Sequence, residues 1–252
     1  MLKIRLIPIL LLKQGRMVKG KQFTDFRDTG DPVFASRIYN AQFVDELIFL
    51  DIDATNENRE TDIGIIEQVS KECFMPLSIG GGIASIEQIS KLLRAGADKV
   101  VINTAAILNP VFITEASNIF GAQCIIVGID VKKEKGNYVV YSNSGKVKTS
   151  IDLLSHIKKM ETIGAGEIFI NSIDHDGIMN GYDNELINLV MKCTNLPVIA
   201  CGGAGNFMHL VDTFKQTRVG ALAMASIYHF GDNNPVRARS YLKNQDIAIK
   251  AV

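Results

Sequence analysis

Short runs of Val, Ile and Leu alternate along the chain with segments of helical length whose apolar residues recur with amphipathic spacing. The runs predict strands near Arg5–Leu11, Glu46–Asp51, Leu77–Ile79, Lys99–Asn103, Ile125–Asp130, Glu167–Ile173, Val198–Ala200 and Ala221–Ala225. Their apolar character is continuous, as expected for strands buried on both faces of a parallel sheet. The intervening helices carry start signals. Asp31-Pro32 and Asn109-Pro110 each set a capping side chain before a first-turn proline. Ser85-Ile-Glu-Gln88 reads as a capping box, and Gly96 stops the same helix. Eight strand–helix units predict an α/β protein, a single (β/α)8 TIM barrel occupying residues 1–252.

The pattern repeats. At an offset of 121 residues, the step from Glu46 to Glu167, the chain matches itself without gaps through Pro76/Pro197 and Gly82/Gly203. Asp53/Asp174, Asp62/Asp183, Val69/Val190 and Gly81/Gly202 fall within that register. The first strand aligns with the fifth at an offset of 119, which sets Leu11 against Asp130. This spacing predicts two half-barrels, residues 1–120 and 121–252 approximately.

Composition narrows the function. A chain of 252 residues with 47% hydrophobic and 21% charged residues can fill a full core, which excludes wholesale disorder. Lys+Arg and Asp+Glu are both 27, so the basic excess of a nucleic-acid or membrane-surface binder is absent. Cys73, Cys124, Cys193 and Cys201 form no C-x-x-C pair and no zinc-like spacing with the four histidines. They read as reduced thiols of a cytoplasmic protein, with no metal or cofactor expected. Met1–Arg5 and the apolar run to Leu12 imitate a signal peptide, but Pro8 and Lys13-Gln14-Gly15-Arg16 fit a buried first strand better.

In a barrel of this kind the chemistry sits at the carboxyl ends of the strands. Gly81-Gly82 follows the third strand and Asn103-Thr104 the fourth; Gly202-Gly203 and Ala225-Ser226 are their repeat partners. Glycines let backbone N–H groups approach an anion, and hydroxyls at helix starts add donors. One Gly-Gly is only a tight turn. Four such elements paired by a repeat predict two phosphate sites across one mouth, and so an elongated substrate with a phosphate at each end. Asp130 closes the fifth strand inside that mouth and is the candidate acid/base group. Asp51 and Asp176, the latter before Gly177, either orient ligand hydroxyls or cap helices. His175 and His229 have no sequence partner and read as structural.

Two connections and one charge cluster complete the reading. Lys13–Ser36 reads as a long, solvated, mobile loop whose bases suit an anionic ligand and which can act as a lid. Lys133–Thr149 reads as a hairpin excursion turning at Gly136-Asn137, with Ser144-Gly145 able to face the ligand. At the opposite end, Arg5, Glu46, Lys99 and Glu167 begin four strands with cancelling charges; pointing inward, they form a paired plug.

Several motifs then become specific in combination. Asp28-Thr-Gly-Asp-Pro32, Asp45-Glu-Leu-Ile-Phe-Leu-Asp51, Gly80-Gly-Gly-Ile83, Ala95-Gly-Ala-Asp-Lys99, Asp176-Gly177 and Ala200-Cys-Gly-Gly-Ala-Gly205 together resemble the HisF family. That family comprises the cyclase subunits of imidazole glycerol phosphate synthase, and the resemblance runs essentially from Met1 to Leu242. It implies a lyase of histidine biosynthesis that acts on a bis-phosphorylated ribulosyl substrate. It also implies a HisH-type glutaminase docked at the barrel bottom to deliver ammonia. Lys19 matches the family's loop lysine, and the four-charge cluster matches the gate of its ammonia channel. Small residues such as Ser78 and Gly128 would leave a bore above the gate, narrowed by Phe169.

One departure bears on chemistry. The family uses aspartates at the ends of the first and fifth strands; Asp130 matches the second, but Leu11 stands at the first. A leucine transfers no proton, and such help is worth roughly 10²–10⁴-fold in rate. Asn171, His175 and Ile178 replace the family's usual Thr, Arg and Thr. Leu10-Leu-Leu-Lys13 and Glu72-Cys-Phe-Met-Pro76 are similar to a HisF-like group of surface polysaccharide synthesis. That group is associated with supplying ammonia for an acetamidino group on a sugar, and the reading tilts toward it. Two alternatives stay open: a non-catalytic subunit that docks a glutaminase and conducts ammonia, and a HisA-type phosphoribosyl isomerase.

Overall fold

A computed structural model describes residues 4–249; Met1–Lys3 of the amino-terminal run and residues 250–252 lie outside the described part. Strand β1 (Arg5–Lys13) is followed by a hairpin, β2 (Arg16–Lys21) and β3 (Thr24–Gly30), then by β4 (Leu47–Asp51), β5 (Leu77–Gly80) and β6 (Lys99–Ile102). Next come β7 (Ile125–Glu134) and its excursion, β8 (Asn137–Ser142) and β9 (Val147–Lys148). β10 (Glu167–Ser172), β11 (Val198–Cys201) and β12 (Ala221–Met224) complete the set. Eight of these strands pair in parallel. β1 lies between β4, with Ile9 opposite Ile48, and β12, with Ile7 opposite Ala223, so the sheet closes. The result is a (β/α)8 TIM barrel with helices between its strands.

Strand parity sorts every side chain. Along β1, Ile7 and Ile9 point into the barrel, whereas Leu6, Leu10 and Leu12 face the helices. The inner core adds Ile48, Val101, Ile126, Phe169, Ile199, Ala221 and Ala223; the outer core adds Phe49, Ile79, Val127 and Ile168. Burial on both faces is the physical reason for the unbroken Val/Ile/Leu runs. The same parity carries Arg5 and Leu11, Lys99 and Asn103, and Glu167 and Asn171 to the inside.

The helix signals hold with one exception. Asp31 caps helix Pro32–Ala41 by accepting from the Phe34 N–H, and Ser85 with Gln88 closes a capping box on helix Ile86–Arg94. Asn109 makes no side-chain cap for helix Val111–Phe120, whose first bonds come from backbone carbonyls of Asn109 and Pro110. The first connection also differs from the expected solvated loop. β2 extends the sheet from β1 (Leu11 opposite Val18) and β3 returns along it, burying Met17, Val18 and Lys19. Two apolar positions set against β1 outweighed the many bases and glycines of this segment. The second excursion forms the expected hairpin, with Asp130 opposite Tyr141 and Glu134 opposite Asn137. Among the described residues no helix is long and apolar enough to cross a membrane.

Phe49 is fully buried in the outer core. Phe49→Ala is expected to cost about 3–5 kcal/mol through lost burial and a residual cavity, read as a lower midpoint in urea unfolding.

Candidate active site

The strand ends converge on a cavity of roughly 650 Å³ at the carboxyl-terminal mouth of the barrel. Leu11, Asp51, Gly81, Gly82, Asn103, Thr104, Asp130, Asp176 and Ala225 all line it, as do Lys19 from the hairpin and Ser144 from the second excursion. Glycine is required at the rim. A β-carbon on Gly81 (φ +110°) would collide with the Asp51 backbone, and one on Gly82 (φ +66°) would press on the Arg59 carbonyl.

Among the described residues, Asp130 is the one carboxylate at the inward strand positions at the top of the barrel. It is only 8% exposed and accepts a 2.8 Å hydrogen bond from the Asn103 side-chain amide. Burial pushes its carboxyl up from 3.8 to about 7, the nearby Asp176 charge adds to that, and the Asn103 and Asn171 amides oppose it. A group poised there can both take and give a proton near neutrality. Leu11 lines the same cavity and supplies no second acid.

The remaining acidic candidates are held by cations. Asp51 accepts from Arg59 at 2.6 and 2.9 Å and from the backbone N–H groups of Asp53 and Ala54, so it anchors its own loop. Asp176 receives the Lys19 ammonium on both oxygens at 2.7 Å, and Lys19 is only 3% exposed. Around that pair the hairpin is seated tightly. The Gln22 backbone N–H donates to the Asp176 carbonyl at 2.8 Å, and Gly177 packs so closely on Gly20 that any β-carbon would clash.

The second of the two expected phosphate corners is built differently from the first. Gly177, Gly202, Gly203 and Ser226 do not line the cavity; the hairpin rests against Asp176 and Gly177, beside Gly202. The Ser226 hydroxyl there is buried without a partner, whereas Thr104 in the first corner accepts from the Asn143 N–H at 3.0 Å. His175 is structural: its Nδ1 donates to the Gly181 carbonyl at 2.8 Å. His229 lies against the β1 backbone at Ile9, and burial with the Lys19 charge lowers it to about 4, leaving a neutral ring.

At the other end of the barrel the four predicted charges form one closed ring. Arg5 donates to Glu46 at 2.8 Å and also to Glu167; Lys99 reaches Glu46 at 3.2 Å and Glu167 at 3.3 Å. Ser78 donates to Glu46 at 2.8 Å, so this small inward residue is tied to the ring. Phe169 is buried inside the barrel and also lines the cavity. Each buried carboxylate thus has two cationic partners, which is what its burial requires.

Three features escaped the sequence reading, one of them a second role for the predicted residue Asn103. Arg59 pairs with Asp51 across a turn, Asn103 serves Asp130 as well as the rim, and Phe23 and Phe26 of the hairpin line the cavity. The Asn103–Asp130 contact follows from strand parity once β6 and β7 are known to be neighbours. Nothing in the local sequence marks Arg59 or the phenylalanines.

Comparison with known proteins agrees with this geometry. Residues 5–234 match the family model described as histidine biosynthesis protein. The chain is 43% identical over 252 residues to the imidazole glycerol phosphate synthase subunit HisF of Staphylococcus carnosus (strain TM300), covering 99% of both proteins. It is 44% identical to the subunit of the same name from Streptococcus mutans serotype c, and 45% identical to that of Hydrogenobaculum sp. (strain Y04AAS1), covering 99% of this chain and 100% of each relative. A closed barrel with these strand ends and this similarity along its whole length belongs to the histidine biosynthesis protein family, in its HisF group.

Proposed function

We propose that the chain is an ammonia-using cyclase subunit of the imidazole glycerol phosphate synthase type, a lyase working with a HisH-type glutaminase. The observation that carries this reading is Asp130, a buried carboxyl tuned to about 7 in the mouth of the barrel. Its substrate is elongated and carries two phosphates, one at Gly81, Gly82, Asn103 and Thr104, the other at Gly202, Gly203, Ala225 and Ser226. The unpartnered Ser226 hydroxyl and the positive φ of all four glycines support those two corners. Lys19, Asp51, Asp176 and Gly177 shape the wall between them; Lys19 and Asp176 neutralise each other until an anionic ligand competes for the ammonium.

The ring of Arg5, Glu46, Lys99 and Glu167 is the gate through which ammonia enters from a glutaminase docked below. Ammonia has to cross unprotonated, because an ammonium ion between Ile7, Ile48 and Ile126 would be desolvated at high cost. The barrel consists of two half-barrels related by the 121-residue repeat. A reducing, cytoplasmic setting fits the four free thiols.

Leu11 favours a second, narrower reading, in which ammonia serves formation of an acetamidino group on a sugar and the histidine-pathway reaction is weak or lost. With one acid instead of two, ammonium-dependent turnover of the histidine-pathway substrate is expected at least ~10²-fold below that of an enzyme with both. Leu11→Asp should recover part of that rate in a steady-state assay. Ordinary cyclase rates in the unmodified protein would exclude the narrower reading.

Asp130 couples activity to stability. Its folded-state carboxyl titrates near 7, above its ordinary 3.8, so folding favours the protonated form and raising the pH from about 4 to 7 costs stability, with no further loss above. Asp130→Asn is expected to abolish turnover while unfolding at a higher temperature than the parent at pH 8. That gap should narrow as the pH falls toward 5. A constant gap across this range would show that Asp130 is not raised.

Breaking the ring by Lys99→Ala leaves Glu46 and Glu167 with one cationic partner fewer. With glutamine as sole nitrogen source, the ratio of product formed to glutamate released should fall while glutamine hydrolysis continues. An unchanged ratio would make the ring a plug and nothing more.

A further inference from the structure

The last inward position of each barrel strand faces the mouth, and these positions divide by chemistry into two arcs. Asn103, Asp130 and Asn171 stand at the ends of β6, β7 and β10, which are neighbours in the sheet. Cys201, Ala225, Leu11 and Leu50 stand at the ends of β11, β12, β1 and β4, which are also consecutive. Gly80 on β5, opposite Leu50, completes the circle. Every one of these residues except Gly80 lines the mouth cavity.

The second arc is apolar surface open to a ligand. Leu11 and Leu50 are register partners on β1 and β4, and both pack on the inner core while staying partly exposed. Ile52, Ile83 and Phe26 extend the same apolar lining. Burial pushes the Cys201 thiol up, so it stays neutral. The charged groups that share the cavity are already taken, Asp51 by Arg59 and Lys19 by Asp176. Leu11, Leu50 and Ala225 have no side-chain group that can make a hydrogen bond.

We propose that the substrate of this mouth has two unlike flanks: a polar one with an exchangeable proton against Asn103, Asp130 and Asn171, and an aliphatic one without hydroxyls against Leu11 and Leu50. The inference rests on the phosphate corners proposed above and narrows the substrate to a phosphoester that is alkyl or deoxy along one side. A hydroxyl laid against the two leucines gives up water and gains no partner. A methylene buried there is worth about fourfold in affinity. Gly81 and Gly82 follow β5, the neighbour of β4, so a chain leaving that corner meets Leu50 first and Leu11 next.

The test is a titration of the full chain, labelled at its leucine methyl groups, with n-pentyl phosphate and with D-ribitol 5-phosphate, which share a carbon count and a phosphate. Inorganic phosphate is titrated alongside. n-Pentyl phosphate should bind about tenfold more tightly than D-ribitol 5-phosphate, the worth of roughly two buried methylenes, and should shift the Leu11 and Leu50 signals saturably. Leu50→Asn should bring the two affinities together. If that variant does not fold, the comparison in the parent protein decides alone. Equal or tighter binding of D-ribitol 5-phosphate, or saturation that leaves both leucines unshifted, would overturn the inference and leave the phosphate corners standing. Failure of inorganic phosphate to bind would instead overturn the phosphate reading, and 1-pentanol against D-ribitol then decides the aliphatic flank by the same criterion.

Discussion

Closure of the parallel sheet is the constraint on which everything else rests. Once β1 hydrogen-bonds to both β4 and β12, the eight-stranded barrel has no free edge and its strands are buried on two faces. That forces two cores, one inside the barrel and one beneath the helices, and it brings all eight strand ends to one rim. The loops at that rim then need only small adjustments, such as the positive φ of Gly81 and Gly82, to line one cavity.

Closure also explains why charges lie at the two ends of the inner core and not in its middle. Between them sit Ile7, Ile9, Ile48, Ile126 and Ile199, which offer a charge no partner. At the bottom, two acids and two bases satisfy one another in a ring. At the top, Asp130 has only amide donors close by, so it holds its proton to about neutral pH. The same barrel thus neutralises one set of charges in pairs and leaves one carboxyl able to exchange a proton. Leu11 places apolar surface where the other half of the repeat has that carboxyl, and so the two halves of the mouth differ in chemistry while sharing a scaffold.

The hairpin of β2 and β3 connects the outside of the molecule to this site. It begins as an extension of β1, passes over the rim, and is fastened by Lys19 and Gln22 to the segment Asp174–Gly177. Its Phe23 and Phe26 wall the cavity at the mouth. An ion pair as deeply buried as Lys19–Asp176 fixes position more than it adds stability, since desolvation offsets most of its attraction.

By itself the sequence determined the barrel, because eight unbroken Val/Ile/Leu runs with helices between them have few other ways to be buried on both faces. It determined the inward charges at the bottom as well, since Arg5, Glu46, Lys99 and Glu167 begin strands and strand parity is a local rule. It also marked Asp130 as a strand-end carboxylate inside the mouth, while the unusual Leu11 stood out only against the resemblance to the HisF family. Only the tertiary structure decided that the first long connection is a seated hairpin, that Lys19 is spent on Asp176, that Arg59 claims Asp51, and that Asn103 serves Asp130. The reason is range. Periodicity and capping act within a few residues, whereas Lys19 and Asp176 are 157 positions apart and meet only because closing the barrel brings the hairpin against the end of β10.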